Sequence, residues 1–184
     1  MSGLGWAEGW WDLAARAPSP HWDDRPVGAQ VELVVLHAIS LPPDRFGTGE
    51  VQRFFQGLLD WDAHPYYAQL RELRVSAHFF IERDGKIWQH VPVQGRAWHA
   101  GVSAWRGRPA CNDFSIGIEL EGNAMESFAD RQYDRLNILL AALRQYYPAL
   151  AEDAIAGHSE IAPGRKWDPG PQFDWQRLEH FRHD

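Results

Sequence analysis

The chain has 184 residues, 45% of them hydrophobic and 23% charged, with a formal net charge of -7. That length and apolar content are enough for one complete core, and ten tryptophans, nine phenylalanines and five tyrosines exclude a disordered chain. The acidic balance without any Lys/Arg block excludes a nucleic-acid binder, and no segment approaches the roughly 20 apolar residues of a membrane span.

Residues 1–11 lack the basic and apolar regions of a signal peptide, and the sole cysteine, Cys111, cannot form an internal disulfide. Both point to a reducing, cytoplasmic setting. Asp23 and Asp24 read as a solvated turn. Residues 31–36 (VELVVL) are almost wholly apolar and rich in β-branched types, the pattern of a strand buried on both faces, with His37 at its carboxyl end. Residues 49–61 place Val51, Phe54, Phe55, Leu58 and Leu59 at helical spacing, so a core-facing helix is expected.

Residues 77–82 and 87–91 are apolar runs flanking Arg83-Asp84-Gly85-Lys86, a hairpin signal. Residues 113–121 alternate, with Ile116, Ile118 and Leu120 on one face and Ser115, Gly117, Glu119 and Glu121 on the other. Ser127 is placed to cap a helix reaching about Tyr147, its buried side formed by Tyr133, Leu136, Leu140 and Leu143, with Pro148 just beyond. Residues 154–157 form a short strand leading to His158, and a Pro/Gly-rich loop then runs to a last helix capped by Asp174. Without repeats or a linker, these elements predict one α+β (α/β-like) domain over residues 1–184, a central mixed sheet packed by helices.

His37 and His158 each close a short apolar strand, where ligands collect in open sheets. Asp168 follows His158 by ten positions and can fold back beside it. Two imidazoles and one carboxylate are the ligand set of a catalytic zinc ion with an open fourth position; the competing reading is two ordinary histidines and a turn aspartate. Glu119 is a carboxylate in an otherwise apolar strand, costly unless paired or used, against which stands a solvated face shared with Glu121. Lys166 would lie beside a metal held by Asp168, where an ammonium can stabilise an oxyanion. His99 and Trp98 are candidates to line a cleft. His78 reads as a hydrogen-bonded core histidine, and His21, His64, His90, His180 and His183 have no partners legible in the sequence.

A series of motifs in one order carries a resemblance: Ala17-Pro18-Ser19-Pro20-His21, Leu36-His37, Ile39-Ser40-Leu41-Pro42-Pro43, Ala63-His64-Pro65-Tyr66, Leu73-Arg74-Val75-Ser76-Ala77-His78, Arg96-Ala97-Trp98-His99-Ala100-Gly101, Cys111-Asn112-Asp113 through Glu121-Gly122, Gly157-His158 and Asp168-Pro169-Gly170. Over nearly its whole length the chain resembles the AmpD family of anhydromuramyl-L-alanine amidases. The resemblance implies zinc ligands at His37, His158 and Asp168, a catalytic glutamate at Glu119, a transition-state lysine at Lys166, and a zinc groove at the strand ends. It departs from the family at Ala38, often asparagine in close relatives, and at Ala110, often arginine, which puts substrate contacts rather than the metal site in doubt. Ala77 stands where lysozyme-like members of the superfamily have a tyrosine, which points to Glu119 as the proton carrier.

The activity so implied is zinc-dependent hydrolysis of the lactyl amide between (1,6-anhydro-)N-acetylmuramic acid and L-alanine in cell-wall recycling. The partner is then a small muropeptide, with no obligate protein partner evident. Trp98 and His99 would pack on sugar or peptide. Arg74, Arg96 and Arg108 would hold stem-peptide carboxylates, each equally readable as a surface charge. The rivals are a non-catalytic muropeptide-binding module, an iron(II) oxygenase using the same triad, and a secreted autolysin acting on intact peptidoglycan.

Overall fold

The computed structural model describes residues 5–178. Six strands make one mixed sheet: β1 (Ala15–Arg16), β2 (Leu33–Ile39), β3 (Phe79–Ile81), β4 (Ile87–Gln89), β5 (Ser115–Glu121) and β6 (Ile155–Gly157), in the spatial order β6-β2-β5-β3-β4-β1. β6, β2, β5 and β3 run parallel, and β4 returns antiparallel to β3. The Asp84-Gly85 turn makes that reversal as expected, with Gly85 at φ +88 and Glu82 and Lys86 bonded across it.

Parallel neighbours on both sides explain why β2 is apolar on both faces. Toward one side Val34, Leu36, Ile116, Ile118 and Leu120 pack under α2 (Asp130–Tyr146) through Leu136, Leu139, Leu140 and Leu143. Truncating such a leucine to alanine costs about 2–5 kcal/mol. Toward the other side there are two smaller clusters. Leu33, Val35 and Ala156 pack with Phe114 and Ile161, while Phe80 packs with α1 (Glu50–Phe55) through Phe54 and Phe55, with Ile39 at its margin. His37, on the same face as Val35 and Ile39, falls between these two clusters, and the site opens there.

Three local expectations are corrected. The 49–61 helix stops at Phe55 because Gly57, at φ +70, makes a C-terminal cap in which Gly57 N bonds Phe54 O and Leu58 N bonds Arg53 O. Leu58 is therefore 66% exposed, while Leu59 reaches the core from the following turn. The long helix starts at Asp130, not after Ser127; its first turn is closed by the Gln132 side chain, which accepts from Ala129 N at 3.0 Å. Asp23 and Asp24 lie in a short strand, Trp22–Asp24, paired antiparallel with Gly95–Ala97.

Asp174 does cap a turn, accepting from Gln176 N at 3.0 Å at the head of Trp175–Arg177. The rest of the expected last helix, with His180 and His183, lies outside the described residues. Among the described residues no helix is long and apolar enough to cross a membrane.

Candidate functional site

The parallel register sets Glu119 of β5 directly opposite His37 of β2, and strand alternation turns both toward the gap between the two smaller clusters. β6, on the other flank of β2, delivers His158 as the first residue of α3 (His158–Ile161). The following loop doubles back and is pinned by a bond from Ser159 N to Asp168 O of 2.9 Å. Gly157 makes the return possible, since a Cβ there would lie 2.9 Å from Pro169 Cδ.

These elements bring three predicted ligands together. Nδ1 of His37 and Nδ1 of His158 are 3.0 Å apart, and each is 3.1 Å from Asp168 Oδ2. All three residues are buried, and among the described residues they form the group able to hold a metal ion. His158 Nε2 lies 3.1 Å from the Ala100 carbonyl, which can only accept, so its proton sits on Nε2 and Nδ1 is bare. Ligand atoms about 2.0–2.1 Å from a tetrahedral zinc lie about 3.3 Å from one another, so this triangle fits that ion with slight opening. Burial, the main influence on His37, holds its imidazole below the ordinary histidine range despite Asp168. A neutral ring is what a metal needs.

Glu119 stands beside this triangle with Oε2 buried and without a hydrogen-bond partner. Burial first, and Asp168 second, push its carboxyl well above the usual carboxylate range, while Lys166 pulls it down. Lys166 is exposed on the wall of a groove of roughly 750 Å³ that also contains His37, Glu119, His158 and Asp168. Beyond them the groove continues into an apolar lobe of Leu41, Phe54, Tyr66, Leu70 and Val75. Glu121, by contrast, does not share a solvated face: it is 3% exposed and accepts from Gly47 N and Arg83 N at 2.6 and 3.0 Å.

Other predicted contacts are placed elsewhere. Trp98 does not line the groove; its indole donates to Asp23 Oδ1 at 3.0 Å and stacks on His21. Arg74 donates to the carbonyls of Arg71 and Leu73, closing its own turn. Arg108 is bonded to Glu32 and lies over the Phe114 ring. Arg96 is held between Asp23 and Asp113. His78 is the core histidine expected, accepting from Gly117 N at Nδ1. His21, His64 and His90 have partners after all, respectively Val75 O, Tyr66 N and Ala17 O. Ala38 lines the groove and Ala110 does not.

His99 does line the groove, but both of its nitrogens are engaged by protein groups: Nδ1 lies 2.9 Å from His37 Nε2, and Nε2 lies 3.1 Å from Ser115 Oγ. Strand alternation alone gives Ser115 and Gly117 no more than a face, and no sequence pattern points to Asn112 or Arg165. Asn112 Oδ1 accepts from the backbone N–H of His99 and Ala100, and Arg165 donates to Ala100 O. The available signal was a glycine inside an apolar strand, which marks a close approach.

Residues 27–171 match the N-acetylmuramoyl-L-alanine amidase family. The 1,6-anhydro-N-acetylmuramyl-L-alanine amidase AmpD of Citrobacter freundii is 54% identical over 171 residues, 93% of this chain and 91% of that protein. A crystal structure of a selenomethionine AmpD derivative superposes with a TM-score of 0.91 at 52% identity, over 94% of this chain and 96% of that one. The amidase AmiD from E. coli, in complex with the substrate anhydro-N-acetylmuramic acid-L-Ala-D-gamma-Glu-L-Lys, superposes with a TM-score of 0.59 at 31% identity, over 84% of this chain and 59% of that one.

Proposed function

The chain belongs to the N-acetylmuramoyl-L-alanine amidase family, and from that premise we propose a zinc-dependent hydrolase cleaving the lactyl amide between 1,6-anhydro-N-acetylmuramic acid and L-alanine in cell-wall recycling. The observation that carries the reading is the convergence of three ligand atoms, 3.0–3.1 Å apart, beside a buried carboxylate oxygen with no partner. The AmpD relatives are named for anhydromuramyl-L-alanine cleavage, and this chain spans nine-tenths of their length.

His37 Nδ1, His158 Nδ1 and Asp168 Oδ2 would hold the zinc. When bound, zinc lowers the pKa of water toward about 7 and polarises an amide carbonyl. Glu119 takes the proton of the attacking water as the new C–O bond forms. It then delivers a proton to the alanine nitrogen as the C–N bond breaks, leaving a lactyl carboxylate and a free peptide amine. Such acid–base work is worth typically 10²–10⁴-fold. Glu119 Oε2, buried and without a hydrogen-bond partner, is free to accept that proton. Lys166, on the groove wall, neutralises the charge that develops on the carbonyl oxygen. The apolar lobe packs against the nonpolar parts of the substrate.

The proposed compartment is the cytoplasm, in keeping with a lone, buried and unpaired Cys111. Mass spectrometry of products from soluble anhydromuropeptide and from intact sacculi, with and without chelator, tests reaction, metal and substrate together. Free anhydromuramic acid and intact stem peptide, lost on chelation, are the expected products. Faster release from sacculi would overturn the recycling role, and binding without cleavage would make the chain a muropeptide-binding module.

A further inference from the structure

The two histidines at the metal site must both present a bare Nδ1, yet a free imidazole can carry its proton on either nitrogen. What decides the tautomer is the group met by the other nitrogen. For His158 that group is the Ala100 carbonyl. For His37 it is another histidine, His99, whose own proton must first be located.

The hydrogens can be followed from one end. Ser115 Oγ is 2.6 Å from the Cys111 carbonyl, which only accepts, so the hydroxyl donates there. Ser115 Oγ must then accept from His99 Nε2, 3.1 Å away. That leaves His99 Nδ1, in a neutral ring, as an acceptor, and His37 Nε2 at 2.9 Å must donate to it. In a neutral His37 ring Nδ1 is then bare, 3.0 Å from His158 Nδ1 and 3.1 Å from Asp168 Oδ2. The geometry is built around this contact: the His99 ring lies over Gly117, where a Cβ would be 2.4 Å from His99 Cγ. Asn112 Oδ1 fixes the backbone from beneath, accepting from His99 N at 3.1 Å and Ala100 N at 2.8 Å.

We propose that the His99-Ala100 dipeptide, held by Asn112 and backed by Ser115, is a tautomer template that presets both histidine ligands, through the His99 side chain for His37 and the Ala100 carbonyl for His158. His99 is on this view a positioning residue rather than a substrate contact. The proposal rests on the metal reading of the site, but the tautomers can be measured without metal.

The experiment uses full-length protein with 15N-labelled histidine. In metal-free wild type, the imidazole 15N shifts should show His37 protonated on Nε2 and bare on Nδ1. Ser115→Ala removes the acceptor for His99 Nε2, so His99 can turn donor toward His37, and His37 should shift toward the Nδ1-protonated form. Zinc affinity, read by competition with a chromophoric chelator, should fall about 10–100-fold in His99→Phe, the typical loss for a group that orients a ligand. His99→Asn, which restores an acceptor oxygen near the position of Nδ1, should recover most of that loss. An Nδ1-protonated His37 in the metal-free wild type would overturn the proposal. So would equal zinc affinity in the Phe variant and wild type, or an equal loss in the Phe and Asn variants, which would leave only packing. If His99→Phe does not fold, the Ser115→Ala shifts still decide. Failure of wild type to bind zinc at all would instead refute the metal reading.

Discussion

Glu119→Gln separates the chemistry of the site from its stability, because the two should move in opposite directions. Glutamine keeps the shape of the side chain but has no basic oxygen, so turnover should fall 10²–10⁴-fold, about 2.7–5.4 kcal/mol of barrier at 1.36 kcal/mol per tenfold. The folded carboxyl is raised above its unfolded value, chiefly by burial. A group raised in this way contributes stability that is fully present below the unfolded pKa, about 4.3, and is lost as pH rises through the folded pKa. Metal-free wild type therefore carries a burden at neutral pH that the glutamine variant lacks. Each kcal/mol so recovered raises Tm by roughly 2–4 °C in a chain of this size. Chromatographic turnover at saturating anhydromuropeptide, zinc per chain, and Tm in chelator at pH 5 and 8 are the measurements. Near-normal turnover, or a metal-free Tm below wild type at pH 8, would refute the reasoning, and zinc loss would mean that Glu119 supports the metal. Glu121→Gln is the contrast: it leaves one oxygen for two backbone donors, Gly47 N and Arg83 N. It should cost about 1–3 kcal/mol of stability with far less effect on turnover.

Alanine at His37, His158 or Asp168 should abolish zinc binding and activity together, read by metal analysis and product release; full activity after exhaustive chelation would contradict this. Lys166→Met should lower kcat about 10²–10³-fold, as for the loss of one oxyanion donor, with KM and zinc content little changed; an effect confined to KM would make it a binding residue. Burial pushes His78 down to about 3 and His90 down to about 4. Both are depressed below the unfolded value of about 6.5, so their stability contribution is complete above that pH and is lost as pH falls toward the folded values. Between pH 6.5 and 5, each should cost up to about 2 kcal/mol. Glu119 and Glu121, raised by burial, push the other way over the same interval, so the check is a variant: a Tm change between pH 6.5 and 5 that is the same in His90→Gln as in wild type would refute it.

What was legible in the sequence is what short-range pattern encodes. The apolar run before His37 reads as a doubly buried strand because both neighbours of β2 are parallel strands, and the Asp84-Gly85 hairpin and the Leu136, Leu140 and Leu143 face of α2 follow from local periodicity. The candidate metal group was legible in part: His37 and His158 by their places at strand ends and Asp168 by its spacing across the Pro/Gly loop, with the family resemblance deciding between the metal reading and the bland one. Where tertiary context decides, the reading failed. The 49–61 pattern continues in phase past Gly57, but one left-handed residue ends the helix. The partners of Trp98, Arg74 and Arg108, respectively Asp23, the carbonyls of Arg71 and Leu73, and Glu32, are likewise set by the fold and not by any local pattern.

The alternation of β5 shows most plainly how far the pattern reaches. It sorted Ser115, Gly117, Glu119 and Glu121 onto one face correctly, and it allowed that face to be solvated, as for an outer antiparallel sheet. In a strand flanked by two parallel neighbours neither face is free, and these four residues serve four separate ends: a hydrogen bond to His99, room for its ring, a buried carboxylate oxygen without a partner beside His37, and an anchor for the 47 and 83 backbones. A glycine and a serine two residues apart in a strand whose other face is isoleucine and leucine have little reason to be there for packing. Read together with a histidine of unknown purpose elsewhere in the chain, they are the trace that a close-packed polar group leaves in a sequence.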